Sequence, residues 1–130
     1  MPPYPLTALA ACAALVVYLV FSFHVGRLRA RFEIKAPSMD GPEPFLRAVR
    51  VHMNTLEQIV LFLPALAMFA LFWGDRPAAV IGIVWPIGRV IYARAYLADP
   101  AKRGPGFMIA FVASMILLVG AAVGAFRAAL

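Results

Sequence analysis

Arg47, Arg50, Asn54 and Glu57 follow one another at intervals of three, four and three residues, in a stretch, FLRAVRVHMNTLEQIVLFLPAL, that begins polar and ends as hydrocarbon. On an α-helix the four fall within about 80° of arc, so they form one ridge, continued by Leu61, while His52 projects to the far side. Arg89, Tyr92 and Tyr96 make a second series on one helix face, and Arg94 points elsewhere, free to snorkel. The chemistry open to these groups is recognition. Arginines suit carboxylates bidentately. A carboxylate deeper along the ridge suits an ammonium, and Asn54 with the tyrosine hydroxyls can orient polar atoms in between. A zwitterionic ligand with extra carboxylates, such as a small peptide, matches that inventory. No metal site is expected, because His24 and His52 stand apart from each other and from any spaced cysteine or carboxylate cluster. Neither a Gly-rich phosphate loop nor a Ser/His/Asp arrangement is evident.

The elements that must position these residues are membrane spans. The chain of 130 residues is 64% hydrophobic and 14% charged, where soluble domains average about 45–50% and about 25%. Its mean hydropathy is +0.87. Four segments are long and apolar enough to cross a bilayer, approximately 6–25, 44–73, 77–97 and 105–126. They predict an all-α fold, an up-down four-helix bundle, in one domain over residues 1–130. The third segment is interrupted by Pro86 and Arg89, and the fourth ends in small residues. Cys12, the only cysteine, excludes an intrachain disulfide. Leu9–Cys12 resembles a lipoprotein processing box. No Lys or Arg precedes it, however, and the apolar run continues to Phe23, so an uncleaved first span is expected.

The net charge of +6 is scattered and has no soluble module to present it, which argues against nucleic acid and for an anionic membrane surface or small ligand. The first and third connections collect Arg27, Arg29, Arg31, Lys35, Lys102 and Arg103, against Arg76 and Arg127 at the other end. The positive-inside rule therefore places these two loops in the cytoplasm and both termini outside, in the inner membrane for a bacterial chain. Both polar ridges then lie in the cytoplasmic half of the bilayer. A charge there costs roughly 2.5–3.5 kcal/mol unless paired. Pairing of Glu57 with Arg89 or Arg50 is one structural reading. It leaves another arginine, Asn54 and two tyrosines converging on one level, which favours a ligand site.

Residues 45–57, FLRAVRVHMNTLE, with Arg89-x-x-Tyr92-x-x-x-Tyr96, resemble the MAPEG family, the membrane-associated proteins of eicosanoid and glutathione metabolism. The resemblance spans essentially the whole chain. It implies a homotrimer that binds glutathione, as co-substrate and without metal, in a cleft between subunits. Arg50, Asn54, Glu57, Tyr92 and Tyr96 match the family's glutathione-contacting positions, and Arg29 a first-loop arginine that holds a ligand carboxylate. With Arg47 and Arg89 from the two ridges, these make up the expected binding set. Arg103 aligns with an arginine held to stabilise the glutathione thiolate in the leukotriene C4 synthase branch, and is the expected catalytic residue; a positive-inside anchor is its plainer role. His52 stands where that branch has glutamine and Gln58 where it has tyrosine. The function implied is a glutathione-dependent transferase or peroxidase acting on a hydrophobic small molecule, an electrophile or lipid hydroperoxide, from the bilayer. The alternative is a non-catalytic lipid-binding or scaffold protein. A four-span multidrug exporter would need a carboxylate in its first span, and Leu6–Val25 carries no charge.

Overall fold

The structure is a computed structural model and describes residues 3–130. Its helices are α1 (Pro5–Arg31), α2 (Glu43–Trp73), α3 (Asp75–Gly82), α4 (Val84–Ala98) and α5 (Gly104–Ala129), with a single 3₁₀ turn at Pro100–Lys102 and no strand among the described residues. Four crossings are long and apolar enough to span a membrane: α1, α2, α3 with α4, and the 3₁₀ turn with α5. The expected four-helix membrane fold is thus observed.

Proline and glycine set the boundaries. Pro5, Pro44 and Pro105 sit in the first turns of α1, α2 and α5, where a missing N–H costs nothing. Gly74 ends α2 with φ 90°, a conformation that disfavours any side chain. The third crossing, read from sequence as one helix, is two. Pro86 has no N–H to donate and its ring crowds the Gly82 carbonyl four residues back, so the helix breaks at Ile83. The break is short, because Ile83 N–H still reaches the Ala79 carbonyl at 2.9 Å. Helix α1 also runs two turns past its apolar stretch, to Arg31, since arginine is a good helix former and suits a helix C-terminus. The first connection is accordingly shorter than the sequence implied.

Crossings that follow one another in the chain run antiparallel. Arg29 lies over the Phe45 ring and Tyr18 stacks on His52, which pairs rising positions of α1 with falling positions of α2. Gly106 meets Tyr92 and Gly88 meets Ala110 in the same sense between α4 and α5. Hydrocarbon supplies no hydrophobic drive between helices, so close packing must hold them. A Cβ on Gly106 would run into the Tyr92 backbone, and one on Gly88 would lie 2.8 Å from the Ala110 nitrogen. These two glycines let α4 and α5 touch backbone to backbone. Phe62 of α2 and Trp85 of α4 stack at 4.6 Å in the bundle centre, among Ile59, Leu66, Phe69 and Leu117.

One polar device ties the far end together. The Asp75 carboxylate accepts from the α1 backbone at Leu6 N (3.0 Å) and Thr7 N (2.7 Å), and from Thr7 Oγ1 (2.8 Å). Free N–H groups at a helix start need such acceptors. Here the acceptor comes from another helix, 68 positions along the chain from Thr7.

Candidate functional site

Helix α2 turns Phe45, Ala48, Val51, Thr55, Ile59 and Phe62 inward. The polar ridge borders this buried face. Asn54 is half-buried, whereas Arg50 and Glu57 are exposed on the outer side of the single chain. The two thus stand within a helix long and apolar enough to span a membrane, without cover from their own chain.

The second series turns the other way. Arg89 is wholly enclosed, at 0% exposure, and Tyr92 is 1% exposed. Arg89 Nη2 donates to Asn54 Oδ1 at 2.9 Å and to Thr55 Oγ1 at 2.8 Å, and Thr55 Oγ1 in turn donates to the Val51 carbonyl at 2.7 Å. The guanidinium carbon sits 4.1 Å from the Tyr92 ring centroid, a cation–π contact. Tyr92 is tilted against Tyr96 at 5.7 Å and against Phe107 at 6.4 Å. The pairing of Glu57 with Arg89 considered from sequence is not what forms: among the described residues the ion pair is Arg47 with Glu43, at 3.0 Å.

Above Tyr92 opens a cleft of about 250 Å³, lined by Asn54, Tyr92, Arg103, Gly104 and Phe107. Arg103 is delivered to it by the turn before α5, where Asp99 Oδ1 accepts from Ala101 N at 3.0 Å and fixes the 3₁₀ geometry. Phe107 stacks on Phe111 at 5.7 Å, so an apolar wall leads away from the polar end of the cleft along α5. Two larger hollows, one between α3, α4 and α5 and one between α1 and α2, are lined mainly by apolar side chains.

Of the residues expected at the site, the structure gathers Asn54, Tyr92 and Arg103 around one cleft, with Tyr96 against Tyr92 and Arg89 beneath. Arg50 and Glu57 are left on the open side of the same helix. Two others hold structure. Arg47 Nη1 donates to the Leu97 and Ala98 carbonyls at 3.1 and 3.0 Å, capping α4. Arg29 Nη1 donates to the Ser38 carbonyl at 2.7 Å and its guanidinium covers Phe45, pinning the first connection. Sequence reading missed Thr55 and Phe107. Phe107 was findable, lying one turn beyond Arg103; Thr55 was not, since a lone threonine in a span carries no signal.

A four-crossing helical bundle with an arginine-edged polar cleft in its apolar body defines a class of integral membrane protein rather than a soluble enzyme. The chain matches the MAPEG family over residues 7–123 and belongs to it. It is 31% identical to leukotriene C4 synthase of Rattus norvegicus, the alignment covering 95% of this chain and 90% of that one. It is 28% identical to microsomal glutathione S-transferase 2 of Homo sapiens, over 78% of this chain and 69% of that one. An uncharacterized protein of Synechocystis is 44% identical over 88% of this chain and 83% of its own length.

Proposed function

We propose that this chain is a membrane-bound glutathione-dependent transferase, with the cleft at Asn54, Tyr92 and Arg103 as its glutathione site. The observation that carries the reading is the placement of the Arg103 guanidinium at a small polar cleft that opens onto the apolar Phe107–Phe111 wall. A thiol with a pKa near 8.5 is mostly protonated at neutral pH, and the thiolate is the nucleophile. A guanidinium beside the sulfur stabilises the thiolate and raises the reactive fraction. The thiolate attacks the electrophilic carbon of a lipid-borne substrate, forming the S–C bond as the carbon's bond to an epoxide oxygen or to a leaving group breaks. The thiol proton goes to water, and the displaced oxygen takes up a proton from water or the leaving group departs as an anion. With a hydroperoxide the same thiolate attacks the distal oxygen. A second glutathione then completes reduction to alcohol, water and glutathione disulfide.

The assembly belongs to the proposal. Arg50 and Glu57 facing hydrocarbon would each cost roughly 2.5–3.5 kcal/mol. A neighbouring copy seated on this face of α2 removes that cost and closes the cleft, so we read the working form as a homotrimer with the site between subunits. In it Arg50, Glu57 and Tyr96 complete the ligand contacts. The arginine-rich connections face the cytoplasm and the termini the other side.

The test is conjugation of glutathione to a chromogenic electrophile by the purified protein in lipid, with Arg103→Ala beside it. Turnover in the unaltered protein, reduced by about 10²-fold or more in the variant, is the expected outcome. No turnover of any electrophile or hydroperoxide together with no saturable glutathione binding would point instead to a lipid-binding or scaffold protein.

A further inference from the structure

Arg89 was expected among the ligand contacts, and its surroundings give it a different task. The side chain is fully enclosed, yet it ends at the edge of the cleft, on Asn54, a residue that lines it. A guanidinium has only donors. The end of the Asn54 amide that faces Arg89 must therefore be its oxygen. Because the amide is planar, its NH₂ is turned away from Arg89, and Asn54 is one of the residues that line the cleft. Thr55 keeps the fork from swinging: it receives Nη2 on its lone pair while its own hydrogen goes to the Val51 carbonyl. The Tyr92 ring closes the other face of the guanidinium at 4.1 Å.

We propose that Arg89 is a positioning residue which sets the polarity of the cleft by holding Asn54 with its amide NH₂ outward. The wall formed by Asn54 and Arg103 then presents donors alone, and selects an acceptor on the ligand: a carbonyl, a carboxylate or the thiolate. This rests on the reading of the cleft as a glutathione site and says which groups of glutathione it reads there. Arg89 itself touches no ligand.

Asn54→Asp and Asn54→Leu separate the possibilities. The aspartate is isosteric and accepts from Arg89 in a charge-assisted pair, so the protein stays folded with a melting temperature equal to or above that of the parent. It offers the cleft no donor. Leucine also removes the donor but adds no charge. Calorimetric titration with glutathione is expected to show Kd raised tenfold or more for both variants. Arg89→Met frees Asn54 to rotate; we expect weaker binding and a thiolate absorbance that appears at higher pH. Arg89→Lys, which also only donates, recovers some of both. Unchanged Kd in Asn54→Asp, or a loss confined to Asn54→Asp with Asn54→Leu unaffected, overturns the assignment, the second because it reports charge repulsion rather than a lost donor. Unchanged Kd in Arg89→Met, or in Arg89→Gln, whose amide oxygen lets Asn54 turn round, overturns the positioning role. Absence of saturable glutathione binding by the unaltered protein overturns the glutathione reading itself and the proposal with it.

Discussion

Arg89 carries a full charge in the middle of the bundle, about 14 Å along the helix from Ala98, with no carboxylate bonded to it among the described residues. A buried ion without compensation costs several kcal/mol. Two charge-assisted hydrogen bonds from Nη2 and the Tyr92 face offset part of that, while Nε and Nη1 have no partner among the described residues; Asn54, Thr55 and Tyr92 form one unit with Arg89 rather than separate residues. Asp75 is the counterpart at the opposite end, where it supplies acceptors to the start of α1. Replacing it by alanine leaves two backbone N–H groups without their partner. We expect Asp75→Ala to lower the melting temperature by several degrees, with Asp75→Asn intermediate because an amide has one acceptor oxygen instead of two. Activity measured well below melting should be unchanged, since the cap lies far from the cleft. Thermal denaturation in detergent, followed by circular dichroism beside an activity assay, reads both.

At the scale of elements, the contact between α4 and α5 decides the geometry of the cleft, because α4 carries Tyr92 while α5 follows directly on Arg103. Gly106 is the point of closest approach, and its hypothetical Cβ meets backbone that cannot rotate away. Gly106→Ala is expected to cost about 1–3 kcal/mol through overpacking. It also forces Tyr92 and Arg103 apart, so KM for glutathione should rise along with the loss of thermal stability. Gly26→Ala is the control, for a Cβ there meets nothing within 4 Å. If both substitutions shifted KM equally, the close contact would not be what shapes the cleft. The break at Ile83 belongs to the same scale: Pro86 fixes its place.

At the scale of the molecule, the exposed ridge of α2 is the surface that a single chain leaves unfinished. Arg50 and Glu57 are exposed in one copy, although both match positions expected to hold ligand. The proposed trimer answers this. Chemical cross-linking of the protein in bilayers should give bands at one, two and three times the 14.1 kDa protomer and none beyond. Glu57→Arg, which sets like charges on that surface, should abolish the largest band. A ladder stopping at two, or running on past three, would replace the trimer with another assembly.

Much of this was legible in the chain. Four spans follow from hydropathy, because hydrocarbon leaves a helix as the means of pairing every backbone group. The two ridges follow from helical spacing; Arg50, Asn54 and Glu57 stand out because each is a poor residue for a membrane, and Tyr92 and Tyr96 because they share a face with Arg89. What spacing cannot show is which way a ridge turns, since that depends on the neighbour it packs against. From sequence Arg47 and Arg89 were equal candidates for ligand contact. Tertiary structure gave one to the end of α4 and enclosed the other beneath Tyr92. Thr55, Gly106 and Phe107 acquired meaning only there. The sequence by itself determined a four-span MAPEG bundle and the residue types of its polar cleft, since period and hydropathy are local properties of a chain. Only the tertiary structure decided which arginine edges the cleft and which lies beneath it, because burial and hydrogen-bond partners arise from helices far apart in sequence.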